Sequence, residues 1–254
     1  MEQKSNKSNL MRLNRFISNY TKLSRRKADE YIRDGRITIN NITVTDFGIK
    51  INPKKDVVAV DGEVIKIKRK KNIYIVLYKP EKTITTVKDN KGRATVLDLI
   101  NIKEKIFPIG RLDYETTGVL LLTNDGDFAN LLMHPRYEVE KKYYAELSKP
   151  LNIVHREKLT RGIMLDNKKT KPCNIYFPYE KNYKVVEITL TEGRNKQVRR
   201  MFQQFNYFVK KLHRISYGPI DLTGLEPGQW RYLTKEEVNF FLENKPNSFT
   251  DDSD

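Results

Sequence analysis

Apolar residues change their spacing several times along this chain, and each change marks an element. Leu10, Leu13, Phe16, Ile17 and Tyr20 fall at i, i+3, i+6, i+7 and i+10, one face of a helix. Ser24 is placed to cap a second helix, Arg25 to Asp34, with Ala28, Tyr31 and Ile32 inward and Gly35 as its stop. Arg36 to Asn40 then alternates polar and apolar, as a half-buried strand does. Val57 to Val60 and Val64 to Ile67 flank Asp61-Gly62, the pattern of a hairpin with a two-residue turn.

Beyond a short basic stretch, Arg69 to Asn72, the pattern becomes mostly extended. Ile73 to Tyr78 is a strand that stops at Lys79-Pro80, and Val96 to Ile100 is a short helix or strand. Asp127 to Met133 reads as helix, ending at His134-Pro135. Tyr143 to Leu147, Asn174 to Phe177 and Lys184 to Thr191 read as strands, and Tyr207 to Leu212 as extended. Lys196 to Phe205 has helical spacing through Val198, Met201, Phe202 and Phe205. Thr234-x-x-Glu237 is a capping box ahead of a final helix, and the polar tail Asn247 to Asp254 is expected to fray. Strands and helices without a regular βαβ alternation predict an α+β fold. The boundary at the basic stretch predicts two domains, 10–68 and 72–245.

One stretch stands out, FPIGRLDYETTGVLLLTNDGD from Phe107 to Asp127. Val119 to Leu122, bounded by Gly118 and a turn signal, has the form of a buried strand. Asp113 sits in the loop before it, where a rigid frame can aim a carboxylate, although a turn or cap role is the commoner fate of such a residue. The Asp125/Asp127 pair has the look of a turn more than of a magnesium site.

Charge narrows the choice of partner. The formal net charge is +16, and residues 1–71 hold 18 Lys and Arg against 8 Asp and Glu. A polyanion is the natural partner of such a surface. A single cysteine, Cys173, excludes an internal disulfide and a multi-cysteine zinc site, and the three histidines share no metal-ligand spacing. No apolar run is long enough to span a membrane and the N-terminus lacks a signal-peptide core, so a reducing cytoplasm is the expected location. Glycine-rich phosphate loops and Ser/His/Asp arrangements are missing as well. His134 and His213 read as structural or as facing the polyanionic partner, more than as catalytic.

Arg25, Arg26 and Lys27 open the second helix, and Arg33 and Arg36 flank its end. Positive groups at a helix start oppose its dipole, so stability does not account for them, whereas phosphate binding does. With LNRFIS, LSRRKADEYIRDGRITINN and VDGEVI, residues from about Met11 to Ile65 resemble the S4-type RNA-binding domain. That resemblance implies a compact helix–helix–hairpin module that grips structured RNA.

The larger part carries a second resemblance. FPIGRLDYETTGVLLLTNDGD, EVEKKYYAEL, LTEGRNKQVRRMF, VKKLHRISYGPIDL and LEPGQWRYLT, in that order, are similar to RsuA/RluB-type ribosomal RNA pseudouridine synthases. The family has a mixed, largely antiparallel sheet with a cleft across its middle, and isomerises uridine within RNA without a cofactor. The resemblance puts the catalytic aspartate at Asp113, the active-site tyrosine at Tyr143 and the active-site arginine at Arg199. Tyr144 falls on the opposite strand face. The chain departs from the family at Tyr78-Lys79-Pro80-Glu81-Lys82, where a glycine usually follows Lys-Pro by one residue. The GRN-x-QVRRM segment points to the large-subunit branch, with small-subunit RNA as the alternative.

The chemistry explains the residue types. Asp113 must be ionised to attack the sugar or base, or to take a ribose proton. A carboxylate in a cleft needs a cation beside it to stay charged, and Arg199 is the candidate. Tyr143 can stack on the uracil. Lys79, Arg93, Arg111, Lys196 and Arg200 are expected phosphate contacts, no metal is expected, and a monomer is expected because no exposed apolar stripe is evident. A non-catalytic ribosome-binding or assembly protein is the competing class, and a glycosidase lacks a second acid fixed by the sequence.

Overall fold

The computed structural model describes residues 10–67, 71–87 and 89–243. Arg69 and Lys70 of the expected linker and the tail from Asn247 lie outside them. The chain divides into two compact units, residues 1–71 and 72–254.

The first unit comprises β1 (Met11–Arg12), α1 (Leu13–Tyr20), α2 (Arg25–Arg33), β2 (Ile37–Ile39), β3 (Ile42–Val44), β4 (Lys50–Ile51), β5 (Val58–Val60) and β6 (Glu63–Val64). Leu13, Phe16 and Ile17 from α1 meet Ala28 and Ile32 from α2 over Ile37, Ile51 and Val58. Leu10, expected on the helical face, precedes the helix and is exposed. Ser24 caps α2 by accepting from the Lys27 amide at 3.2 Å. The sheet runs β3-β2-β5-β6. Both hairpins turn on left-handed pairs, Asn40-Asn41 (φ 51°, 67°) and Asp61-Gly62 (φ 51°, 83°). Strand β3 has no counterpart in the hydrophobic pattern, since Ile42 points to solvent.

The second unit contains β7 (Tyr74–Lys79), β8 (Phe107–Ile109), β9 (Thr117–Thr123), α3 (Gly126–Met133), β10 (Lys141–Leu147), α4 (Ile153–Thr160) and the short pair β11 (Met164–Leu165) and β12 (Lys168–Lys169). It continues with β13 (Asn174–Tyr176), β14 (Val185–Leu190), α5 (Gln197–Gln203), β15 (Val209–Tyr217), β16 (Trp230–Tyr232) and α6 (Lys235–Glu243). One eight-stranded sheet runs β13-β14-β10-β15-β9-β7-β16, with β8 also on β9. Every pairing in it is antiparallel except β15 with β9.

That parallel contact is short, His213 opposite Thr117 and Arg214 opposite Gly118, and it joins the two halves of the sheet. Farther along β9, at Leu121 to Thr123, β8 takes the same edge. The chain between β8 and β9, which carries Asp113, therefore leaves the sheet where its two halves meet. Gly118 makes the join possible. Its φ is +110°, and a Cβ there would lie 2.3 Å from the Arg214 carbonyl oxygen and 2.6 Å from its nitrogen.

Period-two alternation gives β9 two apolar faces. Leu120 and Leu122 pack with Ile75, Leu77, Val96, Ile106 and Leu112. Val119 and Leu121 pack on the other side with α3 and α6, through Phe128, Leu132 and Phe241. A further core lies between the β13-β14-β10-β15 half and helices α4 and α5. Val96 to Ile100, expected as helix or strand, instead forms turns, because Asp98 accepts from the Thr95 amide and hydroxyl at 2.7 and 3.0 Å. Asp125 caps α3 through the amides of Asp127 and Phe128. The Thr234/Glu237 capping box closes reciprocally, at 3.2 and 2.8 Å.

Candidate active site

Asp113 is held by its backbone. Thr85 donates its hydroxyl to the Leu112 carbonyl at 2.8 Å, and the Thr116 amide donates to the Asp113 carbonyl at 3.0 Å. Below the loop lies Lys79, whose Nζ donates to the carbonyls of Pro80, Tyr114 and Thr116 at 2.9, 3.3 and 2.8 Å. Lys82 takes φ +56° in the segment where the family usually has glycine, and its amide donates to Tyr114 as well. The loop is thus tied on both sides of the Asp113 side chain, which remains about one-third exposed at 34%.

Lys79 is wholly buried, so its expected role as a phosphate contact is wrong. The strand period turns it inward, and three carbonyls match the three donors of an ammonium group. Burial pushes its pKa down to about 8, against the opposing pull of Asp113, Glu115 and Glu81. Lys79→Met leaves the Pro80 and Thr116 carbonyls without their lysine donor. We expect a loss of about 2 kcal/mol in stability and at least a tenfold fall in turnover, with RNA affinity unchanged. Denaturant titration, turnover and RNA titration check this, and a salt-dependent loss of affinity would mark a phosphate contact after all.

Helix α5 brings Arg199 to the loop. Val198, Met201 and Phe202 enter the core, which leaves Arg199 on a different side of the helix. Its Nε lies 4.0 Å from Asp113 Oδ2, and its Nη1 donates to the Val209 carbonyl at 2.7 Å. Both side chains are partly exposed, so the pair contributes at most about 1 kcal/mol to stability. Its value is orientation: a guanidinium fixed by a main-chain carbonyl faces the carboxylate from a distant segment. The turn before α5 is built by neighbouring side chains. Gln197 donates to Glu192 at 2.6 Å and accepts from the Arg194 amide at 2.9 Å. Arg194 in turn holds the carbonyls of Leu165, Lys168 and Lys169.

Tyr143 lies on β10 opposite Ile188 and Arg214. It packs against both apolar clusters on its side of the sheet, one containing Leu112 and the other Val198, the neighbours of Asp113 and Arg199. Arginine and aspartate thus meet from two segments, and the tyrosine packs on clusters that include their sequence neighbours. Sequence reasoning missed Arg214, which is 3% exposed. Its Nη1 donates to the Tyr143 hydroxyl at 3.4 Å and its Nε to the Val119 carbonyl at 2.6 Å. Nothing in the pattern of β15 distinguishes it from the other basic residues there. His213 shares a 2.7 Å hydrogen bond with the Thr117 hydroxyl and meets the Tyr78 ring edge-on, a structural arrangement.

Of the expected phosphate contacts, Arg111 and Lys196 are exposed, while Arg93 pairs with Asp89 and Arg200 with Asp166. In the first unit Arg25, Arg26, Lys27, Arg33 and Arg36 are all exposed. Arg36 grips Asp61 with two hydrogen bonds and stacks 3.7 Å from the centre of the Tyr31 ring, and Lys27 pairs with Glu30. Such surface pairs add little to stability.

Comparison with known proteins identifies the family. The RNA pseudouridylate synthase family model matches residues 73–204, and the S4 domain model matches residues 11–58. The chain is 43% identical to the ribosomal large subunit pseudouridine synthase B of Bacillus subtilis (strain 168), over 89% of this chain and 93% of that one. It is 35% identical to the dual-specificity RNA pseudouridine synthase RluF of Escherichia coli (strain K12), over 90% of this chain and 77% of that one. A solved pseudouridylate synthase superposes with a TM-score of 0.66 at 29% identity, covering 91% of this chain and 99% of that one. The chain belongs to the RNA pseudouridylate synthase family and carries an S4 domain ahead of its catalytic part.

Proposed function

We propose that this protein isomerises a specific uridine of large-subunit ribosomal RNA to pseudouridine, with Asp113, Tyr143 and Arg199 as its catalytic residues. The observation that carries the reading is the 4.0 Å approach of the Arg199 guanidinium to the Asp113 carboxylate, in a loop tied down at both ends. The reaction breaks the bond from the ribose to ring nitrogen, turns the base and rejoins it through carbon. A proton leaves that carbon and the freed nitrogen gains one, so atoms balance without a cofactor. Asp113 acts as an anion, Arg199 aims it, and Tyr143 stacks on the uracil.

A uridine within folded RNA must swing out to reach such a cleft, at a cost of a few kcal/mol. Basic side chains on both units offset that cost by holding phosphates: Arg25, Arg26, Lys27, Arg33 and Arg36 on the first, Arg93, Arg111, Lys196 and Arg200 on the second. The name of the Bacillus subtilis relative supports the large subunit as target. We further propose that the protein acts as a monomer in the cytoplasm. The test is to map pseudouridine in ribosomal RNA from cells with and without this protein. The expected result is loss at a defined position in large-subunit RNA; loss confined to small-subunit RNA would overturn the target, and no loss would favour a non-catalytic ribosome-binding role.

A further inference from the structure

We propose that Arg214 is a positioning residue for the reaction, holding the Tyr143 hydroxyl and placing an uncompensated positive charge behind the uracil. This rests on the assignment of Asp113 and Tyr143 to the active site. Arg214 lies in β15 and is buried, at a position where a strand ordinarily carries an apolar residue. Its hydrogen bonds among the described residues go to neutral oxygens, the Val119 carbonyl and the Tyr143 hydroxyl. Its Nη2 is buried without a partner. The guanidinium carbon lies 5.9 Å from the centre of the Tyr143 ring and 5.1 Å from that of Tyr217.

A buried cation without a carboxylate is costly to stability. Lys141, 5.0 Å from the Tyr217 ring, is pushed down to about 8 by burial and then by the Arg214 charge, against the pull of Glu192. Stability does not call for such a group, but the chemistry does. When the bond to the sugar breaks, the base departs as an anion. A fixed cation behind the stacking ring stabilises that charge without reorganising at the moment of reaction. The hydrogen bond also fixes the rotation of the tyrosine hydroxyl and occupies one of its lone pairs. Rigidity comes from the strand join, because the backbone of Arg214 is pressed against Gly118.

A double-mutant cycle tests this, with Arg214→Met, Tyr143→Phe and both together assayed by turnover, KM and thermal melting on a ribosomal RNA fragment. We expect Arg214→Met to lower kcat by about 10- to 100-fold with KM changed less than about threefold, and Arg214→Lys to recover part of the loss. In the Tyr143→Phe background the methionine substitution should cost less than about threefold more. Unchanged kcat, or losses that multiply in full, would overturn the proposal. Should Arg214→Met not fold, the cycle is run with Arg214→Lys and the same criterion applied. An active Asp113→Asn protein, in contrast, would strike at the active-site assignment beneath it.

Discussion

Replacing Asp113 by asparagine is expected to cut pseudouridine formation by at least about 10⁴-fold while RNA affinity stays within about threefold. The substitution keeps the size and shape of the side chain, removes the charge and turns one acceptor oxygen into an NH2 donor. The backbone bonds that shape the loop come from Thr85, Thr116 and Lys79 and do not involve the Asp113 side chain. The fold therefore has no reason to change. Losing a negative charge from a protein of net charge +16 does not weaken its hold on a polyanion. Single-turnover rates and filter binding on one RNA fragment separate the two effects. A variant that turns over at the native rate would remove Asp113 from the chemistry.

Gly118→Ala is expected to damage the molecule at its centre. Two costs add: a φ of +110° is unfavourable for any residue with a Cβ, and the new methyl would sit 2.3 Å from the Arg214 carbonyl oxygen. Backbone cannot swing aside as a side chain can, so β9 and β15 must separate. We expect a loss of about 3 kcal/mol or more, which for a protein of this size lowers Tm by roughly 10 °C. Activity should fall further than stability, because the Asp113 loop belongs to one side of the join and Tyr143 and Arg199 to the other. Calorimetry and turnover well below the transition check both parts. A variant that melts with the native protein would show that the join tolerates a Cβ.

Much of this was legible before the structure. The helical face of Leu13, Phe16 and Ile17, the Ser24 cap, the Asp61-Gly62 turn and the Thr234/Glu237 box are local signals, and local signals survive folding. Asp113, Tyr143 and Arg199 came from motif resemblance, and the fold brings Arg199 to Asp113. What escaped depends on tertiary contact. Lys79 looked like a solvent-facing charge after a strand, and only the return of the Asp113 loop over it reveals three carbonyls waiting for a donor. Gly118 read as a strand boundary, because its close neighbour is far away in sequence, in β15. Arg214 was one basic residue among several. Helix α4 and the β11-β12 pair were missed because their apolar faces are short, with Leu159 and Leu165 as their buried residues.

The central claim is that an everted uridine meets Asp113 beside Arg199 and over Tyr143. Its most direct test is a structure of the Asp113→Asn protein bound to its ribosomal RNA fragment. The account predicts the target nucleotide out of its stack, with its base against the Tyr143 ring and its sugar within about 3.5 Å of the residue-113 side chain. A target nucleotide seated elsewhere, with that side chain facing only solvent, would contradict it.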